Sequence, residues 1–461
     1  MKASGDQPGG RLNAPCETRG SPRSATKNPR IDTAEGVRRM SAICGHAESS
    51  GSIKKVGNKI SSKVSNRINK INKTNLKIEF KNLYVSGGGT MKKSVCSAIA
   101  LMGAMGAMGA LCAGNAMAQS SVTVYGIVDT GVVYTTNANA AGNSVFKMPS
   151  LTGSFPSRLG FKGSEDLGGG LEAMFVLETG FAPDTGSMGQ GNRLFGRQSL
   201  VGLKSNSWGQ VMLGRQVNMT YIATLKTDVM GPNIFAIGSI DGYLPNARSD
   251  NSIGYLGNFS NFTVGATYSF GRDTSATGGP AATGCAGEVA GNSKACRQVT
   301  ALVGYDNKSF GVTSSYDILY GNTGAAGGLT SSDNTDQRVT LNGFVMIGDT
   351  KIGAGVVDRR TRAAGAVNTN SDLYYLGASV PLSTALVLDA QVAKLNVKSS
   401  PNDVTLMVGR LTYNLSKRTA LYTSLGYQKN GGTSAVAIDA GGTVGAGKNQ
   451  LGVMSGIRHT F

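Results

Sequence analysis

The sequence predicts an all-β fold: a sixteen-stranded antiparallel barrel that spans a membrane. Three observations point there. Beyond residue 118 no apolar run is long enough for a membrane helix. In its place, apolar and polar residues alternate with the period of a two-faced strand. Finally, tight turns alternate with long Gly/Asn/Thr/Ser loops, as in an up-and-down barrel with short turns at one end and long loops at the other.

The first ninety residues stand apart. They hold 17 Lys+Arg against 6 Asp+Glu. Such a segment can be read as a basic arm for nucleic acid or anionic lipid. The residues after it favour another reading. From Met91 the chain runs Met-Lys-Lys-Ser, then an Ala/Met/Gly/Leu stretch to Ala113, then Ala116-Met117-Ala118 before Gln119. A charged start, an apolar middle and a small-x-small exit make a secretory signal peptide. Residues 91–118 are therefore expected to be that signal, 1–90 an over-extended gene start, and 119–461 the working protein.

Charge and cysteine usage follow that division. The formal net charge of +18 belongs mostly to the leader, since residues 119–461 carry 26 Lys+Arg against 21 Asp+Glu. No nucleic-acid partner is expected. Two cysteines remain, Cys285 and Cys296, in a Gly/Ala/Thr-rich loop bound for an oxidising compartment, where a disulfide is expected. A metal pair is the alternative, without a nearby histidine or third cysteine to support it.

The alternation is clear at both ends. Val122, Val124, Val128 and Val132 share one face of the first strand; Thr123, Tyr125 and Asp129 share the other. Leu171, Ala173, Phe175 and Leu177 oppose Glu172 and Glu178, and Leu451, Val453, Ile457 and Phe461 oppose Gln450, Arg458 and Thr460. In a soluble sandwich the apolar face would be an inner core. Carboxylates and arginines recurring on the polar face suit a wet lumen instead, with the apolar face on lipid. Strands are expected at 121–134, 157–166, 170–181, 195–205, 209–217, 249–257, 261–271, 298–306, 309–318, 336–348, 349–358, 372–380, 383–394, 403–415, 419–428 and 448–461. The tight turns include 168–170, 206–209 and 415–418; the long loops include 272–297, 319–335, 359–371 and 429–447. Sixteen strands leave an aqueous channel, where eight would be filled by side chains.

Motifs then narrow the class. They are SVTVYG at 121–126, SRLGFKGSEDLG at 157–168, GRQSLVGL at 196–203, LGRQ at 213–216, NSIGY at 251–255, LSKRT at 415–419 and GIRHTF at 456–461. In this order and spacing the chain resembles the general porins of Gram-negative bacteria, of the β-proteobacterial kind found in Burkholderia and Bordetella. The resemblance covers nearly all of 119–461. It implies an outer-membrane homotrimer among lipid and lipopolysaccharide, passing ions and small hydrophilic solutes. It also implies a third long loop, at 218–247, folded into the lumen, and a terminal Phe461 read by the barrel-assembly machinery.

Carried over position by position, the resemblance puts Arg158, Arg197 and Arg248 on the constriction wall and Asp228 on the loop. Lys162 shares the strand parity of Arg158. Arg197 shares parity with Ser199 and Val201, which fits a lumen position less well. The loop's second acidic motif is altered to Gly231-Pro232-Asn233-Ile234-Phe235, with Asp241 the remaining acid that could substitute. Fewer loop acids against three wall arginines predict a modest anion preference. The reading is thus a passive diffusion porin; a substrate-specific channel or a surface adhesin is the alternative. A hydrolase is disfavoured because residues 119–461 hold one histidine, His459, on the apolar parity of the last strand. No Walker or dinucleotide pattern is present, and no cofactor is expected.

Overall fold

A computed structural model describes residues 121–272, 285, 287–325, 327–363 and 369–461. The expected signal peptide and leader lie outside the described residues.

The described chain forms one closed antiparallel sheet of sixteen long strands and one short one. The order is β1 (Ser121–Thr135), β2 (Val145–Lys147), β3 (Arg158–Gly168), β4 (Leu171–Gly180), β5 (Gln198–Ser205), β6 (Gly209–Val217), β7 (Arg248–Phe259), β8 (Phe262–Ser269) and β9 (Gln298–Asp306). Then come β10 (Phe310–Tyr320), β11 (Thr335–Ile347), β12 (Thr350–Arg362), β13 (Thr369–Pro381), β14 (Leu386–Val397), β15 (Val404–Asn414), β16 (Thr419–Asn430) and β17 (Gln450–Thr460). Each long strand pairs with its sequence neighbours. β1 closes the barrel by pairing with β3 through its first half and with β17 through its second. Closure removes the free sheet edges that hydrocarbon cannot satisfy.

Two differences from the sequence reading concern the long-loop end. The short strand β2 pairs with the end of β1 and was not anticipated. The loop expected at 359–371 is shorter, because β12 and β13 keep pairing up to Thr361 and Thr369. Its polar residues 359–362 and 369–371 are thus strand residues at the long-loop end of the barrel.

The turns follow from composition. Gly168, Gly169 and Gly170 all have positive φ, at 83°, 63° and 78°. That backbone joins β3 to β4 in the least space, and only glycine adopts it without cost. The outward face carries Val122, Val124, Val132, Leu213, Leu376 and Leu425, each more than half exposed to the surroundings of the barrel. In water this would be a liability; in lipid it is the required surface.

The loop 218–247 turns inward. It opens with α1 (Met219–Leu225), whose N-cap Asn218 accepts from the Thr220 and Tyr221 amides at 3.1 and 3.2 Å. Met219 and Ala223 pack on Leu302 and Leu256 of the inner wall. The chain then follows the wall around. Thr227 meets the Tyr375 hydroxyl of β13 at 2.7 Å, and Gln391 of β14 donates to Asp228 at 2.8 Å. Arg410 of β15 donates to the Met230 carbonyl at 3.1 Å. Phe235 reaches β16 and β17, lying over Gly426 and Gly452; a Cβ on Gly452 would sit 2.6 Å from its ring. The return passes through α2 (Ile237–Ile240) to Asp241 on Arg338 of β11 and Tyr243 on Asp317 of β10.

Here the expectation of a polar lumen is corrected. On β12 to β17 the inward side chains include Val357, Leu373, Leu406, Val408 and Met454, all buried beneath Met230, Ile234, Phe235 and Ile237 of the loop. One side of the barrel interior thus carries an apolar seam, interleaved with buried polar side chains such as Gln391, Arg410 and Gln428. Each fully buried side chain of this size contributes about 1.5–3 kcal/mol.

Candidate functional site: the lumen constriction

With the loop seated on the β8–β17 side, the facing wall is formed by β3 to β7. Arg158 is the first residue of β3, and its guanidinium makes no hydrogen bond or ion pair among the described residues. Arg197 is buried and donates from Nε to Glu178 Oε1 at 2.6 Å. It precedes β5, which begins at Gln198, so strand parity does not govern it. That resolves the awkward face-sharing with Ser199 and Val201. Arg248 opens β7 and donates to the Arg197 carbonyl at 3.0 Å and the Asn246 carbonyl at 3.3 Å. The three arginines are therefore neighbours around a single acid, Glu178, which Tyr125 also reaches at 3.0 Å.

Lys162 is on the same strand face but four residues toward the short-turn end, roughly 13 Å along the strand. It lies exposed, 5.4 Å from the Tyr125 ring centroid. It lines the exit below the arginines.

The loop acids contribute unequally. Asp241 caps α2 and binds Arg338 through both oxygens, at 2.9 and 3.2 Å. Burial raises its carboxyl, but Arg338 and Arg359 outweigh that and hold it below the usual carboxylate range. Asp241 is thus a tether between loop and wall, with its charge spent on Arg338. Asp228 is held by Gln391, and burial pushes its carboxyl up to about 6.

Several polar clusters were not singled out from sequence. Asp336 joins Arg338 and Arg359 at 2.8 and 2.9 Å. Asp389 pairs with Arg410 at 2.8 Å, and the two are directly opposite in the β14–β15 register. Asp129 gathers the Ser154 and Phe155 amides and the Tyr422 hydroxyl, pinning the first long loop to the wall. Arg458, inward on β17, stacks 4.7 Å from the Phe155 ring. Inward parity was the available signal for each. Above the constriction, Ser157 and Arg197 form part of a mouth cavity of about 500 Å³ that the inward loop, through Asn233 and Ile234, and the last long loop, through Asp439, also line. Away from the lumen, Cys285 and Cys296 form a disulfide with Cα atoms 5.4 Å apart, packed on Ala325, Leu329 and Ala363. Phe461 lies against Gly126, exchanging backbone hydrogen bonds at 3.0 and 3.1 Å.

A closed barrel with an apolar outside, an inward loop and an arginine-lined passage defines a diffusion channel. A profile of the Gram-negative porin family matches residues 100–433. Outer membrane porin protein 32 of Delftia acidovorans is 35% identical over 389 residues, covering 80% of this chain and 100% of that protein. An outer membrane porin protein of Bordetella pertussis is 32% identical over 411 residues, again covering 80% and 100%. Among solved structures, an anion-selective porin from Comamonas acidovorans matches with a TM-score of 0.61 at 30% identity, covering 74% of this chain and 100% of that one. The chain belongs to the Gram-negative porin family, and its place is the outer membrane. Fold and family point to a channel rather than an enzyme.

Proposed function

We propose that this porin is a passive, weakly anion-preferring channel for ions and small hydrophilic solutes, working as a homotrimer. The observation that carries the ion preference is the mismatch of free charge at the constriction. Arg158, Arg197 and Arg248 share one acid, Glu178, while Asp241 is neutralised by Arg338 and Asp228 stands alone on the loop. In a narrow passage with low-dielectric walls, an excess of fixed positive charge raises the local anion concentration. The similar Comamonas acidovorans porin, described as anion-selective, supports the same sign.

Permeation needs no cycle. The arginines face the loop across water, so the field runs across the passage; it orders water and disfavours large apolar solutes, while small polar ones diffuse through. Trimerisation and recognition of Phe461 by the assembly machinery accord with the family pattern. Conductance of residues 119–461 in a planar bilayer tests the reading. Stepwise openings in threes, in simple salt and without added solute, are expected. Current that appears only with one particular solute would favour a substrate-specific channel.

A further inference from the structure

The inward loop presents an apolar face to the passage. In α1, Met219, Thr220, Ala223 and Thr224 are buried against the inner wall of β8 to β11. Successive helical residues turn by about 100°. The opposite side of α1 is therefore made by Tyr221, Ile222 and Leu225. Leu225 lies at its centre and is 54% exposed. Tyr221 and Ile222 flank it, half-buried. The lumen of a membrane barrel is ordinarily polar, so a bare leucine there is out of place. Inside the barrel, neither lipid nor a second copy of the chain reaches it.

Strand order says what this face looks at. β8 to β11 lie half-way round the sheet from β1 and β3. The exposed side of α1 is thus turned toward Tyr125, Arg158 and Lys162. Tyr221 agrees with that direction, lying close enough to Arg158 and Arg248 to interact electrostatically with both. The levels match as well. α1 runs from Asn218, which donates to Asp317 at 3.1 Å, to Lys226, paired with Asp306 at the short-turn end of β9. On the facing wall β3 descends from Arg158 toward the same end, through Lys162. An apolar strip and two cations therefore oppose each other along the passage.

We infer that this stretch prefers organic anions with an apolar body, aromatic monoanions above all, over compact anions of the same charge. The anionic group lies on Arg158 and passes to Lys162, while the ring moves over Leu225 between Tyr221 and Ile222. A flat ring suits a narrow passage and packs on the Tyr221 ring as well as on the leucine. Covering part of Leu225 and part of the ring from water should give about a tenfold preference. The inference goes beyond the proposed anion preference, which concerns charge alone, but rests on the same Arg158.

The test adds benzenesulfonate or methanesulfonate to residues 119–461 in a planar bilayer and reads how far each interrupts the chloride current. Both probes are fully ionised, so they differ in the ring and not in charge. Benzenesulfonate is expected to half-block at about a tenfold lower concentration. Leu225→Gln should shrink that ratio at least threefold, with thermal unfolding as in the parent because the side chain is more than half exposed. Arg158→Gln should weaken both sulfonates alike. Equal potency of the two in the parent protein would overturn the inference, as would a ratio that Leu225→Gln leaves intact. So would equal interruption by benzamide, which carries the ring without the charge. A barrel with no anion preference in plain potassium chloride would count against the proposed function, while the ratio between two anions of equal charge still reads the strip.

Discussion

The proposed ion preference rests most simply on Arg158. That arginine makes no ion pair among the described residues, whereas Arg197 is tied to Glu178 and Arg248 to backbone carbonyls. Arg158→Gln should lower the chloride-over-potassium permeability ratio with little effect on thermal stability. Asp228 adds a pH dependence of the opposite charge. Its carboxyl, pushed up to about 6 by burial, is ionised above that pH and neutral below it. Lowering pH from 7.5 to 5 therefore removes one negative charge from the loop, and anion preference should rise. Asp228→Asn should show the low-pH preference throughout, and a pH response unchanged by that substitution would reassign the titrating group. These acids and arginines were singled out in the sequence through a resemblance, with strand parity supporting Arg158 alone. What was not legible is which of them were already neutralised: Asp241 looks equivalent to Asp228 along the chain, and only the β11 register brings Arg338 to it.

At the scale of elements, strand alternation was readable because a lipid face and an inner face impose strict period two. The inward loop hid its seat. Val357, Leu373, Leu406 and Met454 have lumen parity but apolar side chains, and each alone reads as a small irregularity. Together with the apolar stretch from Val229 to Ile237 they form the two halves of one seam. Phe235 fills that seam at 0% exposure. Phe235→Ala should weaken loop docking by about 3–5 kcal/mol through lost packing and a cavity. The expected readout is a noisier channel with larger conductance, while the barrel itself stays folded. Asp241→Asn should loosen the same loop by at most the roughly 3–5 kcal/mol of a broken buried pair, because Asp336 still faces Arg338. Its signature is altered conductance with ion preference nearly unchanged, the reverse of Arg158→Gln. A large selectivity change in Asp241→Asn would show that its charge reaches the passage after all.

At the scale of the whole molecule, one sheet performs two separations. Its outer face is apolar, and its inner face is divided between the seam that seats the loop and a facing wall on which three arginines gather around Glu178. The net charge of residues 119–461 is small, so the proposed ion preference rests on where charge is placed and not on its total. Screening should then matter: the preference is expected to weaken as salt rises from 0.1 M, where the Debye length is about 10 Å, toward 1 M, where it is about 3 Å. The most direct test is the zero-current potential of the purified barrel across a potassium chloride gradient at neutral pH, parent beside Arg158→Gln. A potential of the sign set by chloride, reduced in the variant, is the expected result. A potassium-selective potential, or one that Arg158→Gln leaves untouched, would contradict an arginine-dominated constriction.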